Sequence, residues 1–400
     1  MTRPGLDLLR YAAAQLLGSA LAYVYVLLAG RWLSLADFGI FSTLLGLLTL
    51  GGIYATGLQV AVTQLSARTP PSLGALLQRC AAWLLLPAGL ATAVLLLWHR
   101  SLGLSPVQAL LGGAIFLAML LSALPMGVLG GCGRVRQQAE LNAWGALGRL
   151  LLGAALILAG LRVAGALAAY LLNYLLLAWA AWHLCQRGVD TAATQQTLPL
   201  NRRALLAVLV GFLPFTLDQL LVARLAPTLL GEYAALATVA KLSFFASFPL
   251  TAYVYPALLA SPGQGPRRRL LTHSFAGVLL ISGGISLLVA LGPSLALGYL
   301  FGQGLQTAAS ALPLLALGTS CFSLSALLIH ALIVWGQRHG HWASVLALLP
   351  GAGLFFVRHD NLVQLVQNQA GLYGLQLLLL SLLMVRTLRR ETAAARVGGH

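Results

Sequence analysis

The sequence predicts an all-α integral membrane protein with about twelve transmembrane helices in two six-helix bundles. Three observations carry that prediction. Of 400 residues, 59% are hydrophobic and 8% charged, and the 24 basic and 8 acidic side chains are too few to coat a soluble chain of this size. The mean hydropathy is +0.88. Apolar runs long enough to cross a hydrocarbon core of about 30 Å recur along the whole length. With no water there to bond the backbone, such runs must close their own hydrogen bonds as helices.

The first run, 11–30, follows Arg3 and Arg10 and so imitates a signal peptide. At about twenty residues it exceeds an ordinary signal core, and it makes the helix number even, so it reads as the first span. The others fall at 39–65, 81–98, 107–131, 143–161, 163–184, 204–223, 233–259, 270–291, 307–335, 342–357 and 364–385. With the N-terminus in the cytoplasm, seventeen arginines fall inside, among them Arg134, Arg136, Arg202, Arg203 and Arg267 to Arg269. Five fall outside: Arg31, Arg100, Arg162, Arg224 and Arg358. That bias sets both termini on the cytoplasmic side of a multi-pass protein. It also explains the net charge of +16 without nucleic acid.

The longest polar connection divides the chain. Residues 1–185 form one bundle, 186–203 a cytoplasmic linker, and 204–400 a second bundle with a basic cytoplasmic tail. The halves are related by a weak repeat. Asp37-Phe38 matches Glu232-Tyr233 at an offset of 195, each just before a long helix, and Gly133-Arg134 matches Gly336-Gln337 at an offset of 203. Two related bundles around a central site are a common plan for carriers.

The polar residues inside the spans are the candidate functional ones. In the second span Ser42, Gly46, Thr49, Gly52, Thr56, Gln59 and Thr63 recur every three or four residues and share a face. In the eighth, Tyr233, Ala237, Lys241, Phe244, Thr251 and Tyr255 do the same, and the offset lays Gly46 on Lys241 and Thr56 on Thr251. Close packing explains the glycines and serines. A hydrated lumen also explains Gln59 and Lys241. Three charges lie within spans, Arg149, Asp218 and Lys241, and each needs a partner or water. Asp218 and Lys241 lie at similar depth on neighbouring helices. They read either as a permanent bridge or as a cation for an anionic substrate beside an acid that releases it on protonation. Arg149, about two turns from the predicted end of the fifth span, either snorkels to the surface or meets substrate. His330 either titrates near neutral pH or bonds a neighbouring helix. Prolines within spans, Pro214 among them, predict kinks or hinges.

Several classes are excluded. The four cysteines (Cys80, Cys132, Cys185, Cys321) and eight histidines show no metal-ligand or disulfide spacing. No nucleotide-binding loop, nucleophile elbow or carboxylate pair appears, so the chain reads as a non-enzyme without cofactor or metal.

Four stretches resemble the polysaccharide flippases of the Wzx type. Leu27–Ala67 carries Arg31-Trp32-Leu33, Asp37-Phe38-Gly39 and Gly57-Leu58, similar to that family's opening. Gly127–Arg149 resembles its glycine-arginine turn and the arginine early in helix five. Asp218–Leu242 resembles the second-half signature, and Gly298–Ala308 the Leu-Phe-Gly turn before helix ten. The motifs are short and point to the superfamily of these flippases, lipid II flippases and MATE drug exporters. The resemblance implies a V-shaped pseudo-two-fold pair of bundles and alternating access. It implies transport of a polyprenyl-pyrophosphate-linked oligosaccharide across the bacterial inner membrane, driven by an ion gradient. Lys241 and Arg149 would receive the pyrophosphate, with Gln59, Thr56, Thr251 and Tyr255 also lining the path and Asp218 and His330 coupling the ion. The implied partners are the lipid-linked saccharide, membrane lipids and a polymerase or glycosyltransferase. Rival expectations are a MATE-like exporter, which wants an acidic lumen, and a non-transporting component of a polysaccharide-assembly complex.

Overall fold

The structure is a computed structural model that describes residues 3–67, 72–186, 202–261, 263–302, 305, 308–337 and 340–397. Arg68, Arg187, Arg338 and most of the 186–203 linker lie outside the described residues. Among the described residues every regular element is helical. The first compact unit, Met1–Asn201, holds α1 (Arg3–Trp32), α2 (Leu35–Ser66), α3 (Leu73–Trp98), α4 (Pro106–Gly131), α5 (Val135–Leu156) and α6 (Arg162–Gln186). The second, Arg202–His400, holds α7 (Arg202–Phe212), α8 (Pro214–Leu225), α9 (Leu230–Ala260), α10 (Gln264–Leu291), α11 (Pro293–Phe301), α12 (Leu312–Val334), α13 (Gly340–Val357) and α14 (Leu362–Val397).

The helix starts follow local chemistry. Ser34 caps α2 by accepting from the Asp37 amide, and Ser105 with Gln108 forms a reciprocal capping box at α4 with Pro106 in the first turn. The outer faces are apolar: Leu97 is 79% and Leu280 77% exposed. That surface suits lipid tails and not water. The chain is a multi-pass membrane protein.

Among the described residues nine segments are long and apolar enough to cross a membrane, and one of them, Val135–Gln186, spans 52 residues. That segment reverses at Gly160 and is therefore two helices, α5 and α6. The pair Leu205–Phe212 and Pro214–Leu225, bent by 45°, and the shorter Trp342–Val357 make up the remainder. The count of about twelve is thus approximate. The structure amends three boundaries. The fifth helix begins at Val135, eight residues before the predicted 143, because VRQQAELN is too polar to register as apolar. The seventh span is broken at Pro214, which has no amide hydrogen to continue the ladder. The tenth begins at Leu312, after the additional short helix α11.

The packing scheme of one unit recurs in the other. In the first, α1 packs on α5, α4 on α2, α3 and α6, and α5 on α6. In the second, α7 packs on α13, α12 on α9, α10 and α14, and α13 on α14. The two glycine turns matched in sequence also fold alike. Gly133 and Gly336 take positive φ of 74° and 66°. The Arg134 amide bonds the Leu129 carbonyl at 2.9 Å and the Gln337 amide the Leu332 carbonyl at 3.0 Å. Each is a helix stop that glycine adopts without steric cost.

Candidate functional site

Arg149 lies on α5 fourteen residues from Val135, ~21 Å along the helix. It stands seven residues before the end of α5 at Leu156 and is held inside its unit, not at the surface. It is 7% exposed. Its guanidinium lies 4.3 Å from the Tyr170 ring centre and 5.8 Å from that of Tyr25. Those rings meet edge to face at 5.6 Å, and the Tyr25 hydroxyl donates to the Ala166 carbonyl at 3.0 Å, which fixes the aromatic seat. Cation–π attraction of this kind contributes up to about 2 kcal/mol when desolvated. Among the described residues no carboxylate pairs with Arg149, and its Nε is buried with no hydrogen-bond partner.

A cavity of about 190 Å³ opens beside it between α1, α5 and α6. Its polar lining is Gln15, Ser19, Asn142, Arg149, Asn173 and Tyr174. Asn173, 9% exposed, has its Oδ1 enclosed without a partner. The volume is below the ~300–1,000 Å³ of sites that enclose a drug-sized ligand, so it fits one small group. A positive site with donors to spare can receive an anion.

The second unit buries its charges differently. Pro214 bends the span, and backbone carbonyls at the bend meet side chains from other helices. Gln376 Nε2 donates to Gly211 O and Gln369 Nε2 to Pro214 O, each at 2.9 Å. Lys241 on α9 donates to Phe215 O at 2.9 Å and lies 4.5 Å from that residue's ring centre. Its Nζ is 3.5 Å from Asp218 Oδ2, which also accepts from the Tyr233 hydroxyl at 3.0 Å. Lys241 is 9% and Asp218 1% exposed. The structure thus joins the two charges that sequence placed at similar depth. The ammonium expected to meet substrate is engaged by its own unit.

The other expected residues are scattered. On α2, Thr56 is exposed and Gln59 half-buried. Thr251 is 1% exposed and packed inside its unit, so it is closed to a ligand in this conformation. Tyr255 meets His330 edge to face at 5.7 Å, and His330 Nδ1 bonds the Ala326 carbonyl of its own helix at 2.7 Å. Sequence reasoning missed Asn173, Gln369 and Gln376. Asn173 and Gln376 are amides within apolar runs, Gln369 closes the amide-rich stretch from Gln364, and the two glutamines are seven residues apart on one face, which was the available signal. Among the described residues no cluster of three metal-ligating side chains occurs.

No protein-family model matches the chain, and no curated protein matches it. Solved structures do. A MATE transporter in complex with MaL6 is 16% identical with a TM-score of 0.69, over 98% of this chain and 97% of that one. The lipid II flippase MurJ, in an inward closed conformation, is 11% identical with a TM-score of 0.74, over 94% and 87%. A MOP-superfamily transporter from Pyrococcus furiosus, described by the reverse polarity of its binding pocket, is 15% identical with a TM-score of 0.60, over 97% and 96%. At these identities the likeness establishes the fold.

Proposed function

We propose that the chain is a secondary transporter of the flippase type, moving a polyprenyl-pyrophosphate-linked oligosaccharide across the bacterial inner membrane for polysaccharide synthesis. Arg149 carries this reading. It is a buried cation beside an open cavity, with no counter-charge among the described residues. Such a charge costs about 2.5–3.5 kcal/mol to insert, a penalty that an anionic ligand or water in the cavity offsets. A MATE-like exporter of cations would want the opposite sign here. The described lining of the cavity holds no acid, and Asp218 is paired with Lys241. The fold is shared by MATE transporters and a lipid II flippase, so the sign of the site favours the flippase side. A neighbour described by reversed pocket polarity is a precedent for such a change within one fold.

In the mechanism, the pyrophosphate seats on Arg149 and the protein alternates access to that site. Asp218 and Lys241 serve coupling: a proton on Asp218 removes the charge that holds the ammonium and leaves Lys241 for the anion. His330 is the second titratable group of the same unit. Gln59, Thr56 and Tyr255, which retain free surface, contact the saccharide. The termini lie in the cytoplasm, where a glycosyltransferase supplies the lipid-linked sugar.

The test is flipping of a fluorescent polyprenyl-pyrophosphate sugar by purified protein in liposomes. Arg149→Gln should lower the rate at least tenfold, with folded protein at its normal level. An unchanged rate, or ready transport of a cationic drug in place of the lipid, would remove the proposal.

A further inference from the structure

We infer that Asn173 recognises a sugar hydroxyl next to the anionic group on Arg149, so that the cavity selects a glycosyl phosphate rather than any anion. The inference rests on the anion reading of Arg149 and adds the chemistry of the neighbouring group. Two residues of the cavity lining each carry a buried, unpartnered polar atom: Arg149 Nε and Asn173 Oδ1. They ask for opposite things. A guanidinium only donates, whereas a carboxamide oxygen only accepts. Chloride, a fatty carboxylate or a phosphate diester would satisfy the arginine and leave Asn173 bare.

The geometry places the two requirements within one small ligand. Asn173 Oδ1 lies against Gly145, where an added Cβ would stand 2.7 Å from it. Gly145 is one turn before Arg149 on α5, about 6 Å along the axis. The Arg149 guanidinium lies against the Tyr25 and Tyr170 rings, and Arg149 lines the same cavity as Asn173. A ligand in that cavity that fills both needs therefore presents both an anionic oxygen and a hydroxyl. A sugar carrying phosphate at its anomeric carbon does this. A hydroxyl both donates and accepts, so it satisfies the amide in either orientation. The cavity of about 190 Å³ fits that first sugar and leaves the rest of an oligosaccharide outside. The exposed Gln15 and Ser19 on α1 line the same cavity and supply further polar contacts.

Binding to the purified full chain in detergent tests this at pH 8, with glucose 1-phosphate, methyl phosphate and inorganic phosphate as probes. At that pH methyl phosphate has no hydroxyl, whereas inorganic phosphate keeps one on phosphorus, so the two separate a sugar hydroxyl from a phosphate one. Native protein should prefer glucose 1-phosphate to both by about tenfold or more. Asn173→Leu should abolish the preference and leave methyl phosphate affinity unchanged. Gly145→Ala, which displaces the amide while leaving it in place chemically, should do the same. Arg149→Gln should weaken all three probes. If the native protein shows no preference for glucose 1-phosphate, or Asn173→Leu weakens every probe equally, the inference fails. A preference confined to inorganic phosphate also overturns it. If Arg149→Gln changes nothing while the Asn173 contrast persists, the anion reading fails and the hydroxyl reading stands.

Discussion

In the first unit Arg149 rests on tyrosine rings with its Nε unpartnered and a cavity alongside. In the second, Lys241 has a carboxylate, a backbone carbonyl and an aromatic ring around its ammonium. Among the described residues the amides differ in their donor contacts and not in their oxygens. Asn173 Oδ1, Gln369 Oε1 and Gln376 Oε1 are all buried without a partner, whereas Gln369 and Gln376 also donate to carbonyls at the bend. The two units share a packing scheme and differ in how their buried cations are met. A buried charge is therefore informative through its remaining hydrogen-bonding capacity more than through its depth. The closed arrangement holds a broken helix in place, and the open one is available to a ligand.

The largest expected effect comes from opening the closed side. Lys241→Ala or Asp218→Ala alone strips one charge of its partner inside the membrane, a loss of about 3–5 kcal/mol. Thermal unfolding in detergent should show each single variant strongly destabilised. The double variant should regain most of the loss, since no lone charge remains. In liposomes the double variant should flip substrate without responding to a proton gradient. Retained gradient dependence would make the pair purely structural.

These outcomes rest on contacts that the sequence displayed unevenly. The spans were legible because long apolar runs have one solution in lipid. The glycine turns at Gly133 and Gly336 were legible because a helix stop with positive φ favours that residue. Pro214 announced a break, though its 45° angle depends on what packs around it. The polar stretch at 135–142 concealed the true start of α5, since hydropathy does not register a helix that emerges from the apolar core. Arg149 was visible as a charge, but its meaning was not. Its seat is built by Tyr25 of α1 and Tyr170 of α6, over a hundred residues away in one case, and no local pattern encodes that meeting. Asn173 was hidden for the same reason.

A smaller effect compares the amides. Gln376 Nε2 donates to Gly211 O and also to Ser344 Oγ at 3.1 Å. Gln376→Leu should cost about 1–2 kcal/mol by leaving those acceptors bare at the bend. Asn173→Leu, by contrast, removes an amide oxygen that has no partner and should leave the unfolding temperature within the scatter of the native protein. Equal losses at the two positions would mean that the cavity amide is as structural as the bend amide, and the contrast between the units would fail.

The smallest effect is also the one with an unusual sign. Removing a buried arginine ordinarily destabilises a protein, because it orphans the carboxylate it served. Arg149 has no such carboxylate among the described residues, so the balance is between two other terms. Insertion of the charge costs about 2.5–3.5 kcal/mol. The tyrosine faces return up to about 2 kcal/mol. Arg149→Met keeps a flexible apolar stem against those rings and removes the charge, so the ligand-free protein should become more stable by about 1 kcal/mol. Adding glucose 1-phosphate should then raise the unfolding temperature of the native protein alone, since only a site that retains its cation gains from binding the anion. The two proteins would converge, or cross, as the probe concentration rises. A clear loss of stability in Arg149→Met without ligand would show that the guanidinium ties α1, α5 and α6 together as Lys241 ties the bend to α9. The first unit would then be as closed as the second, and the cavity beside Arg149 would lose its claim to be a site.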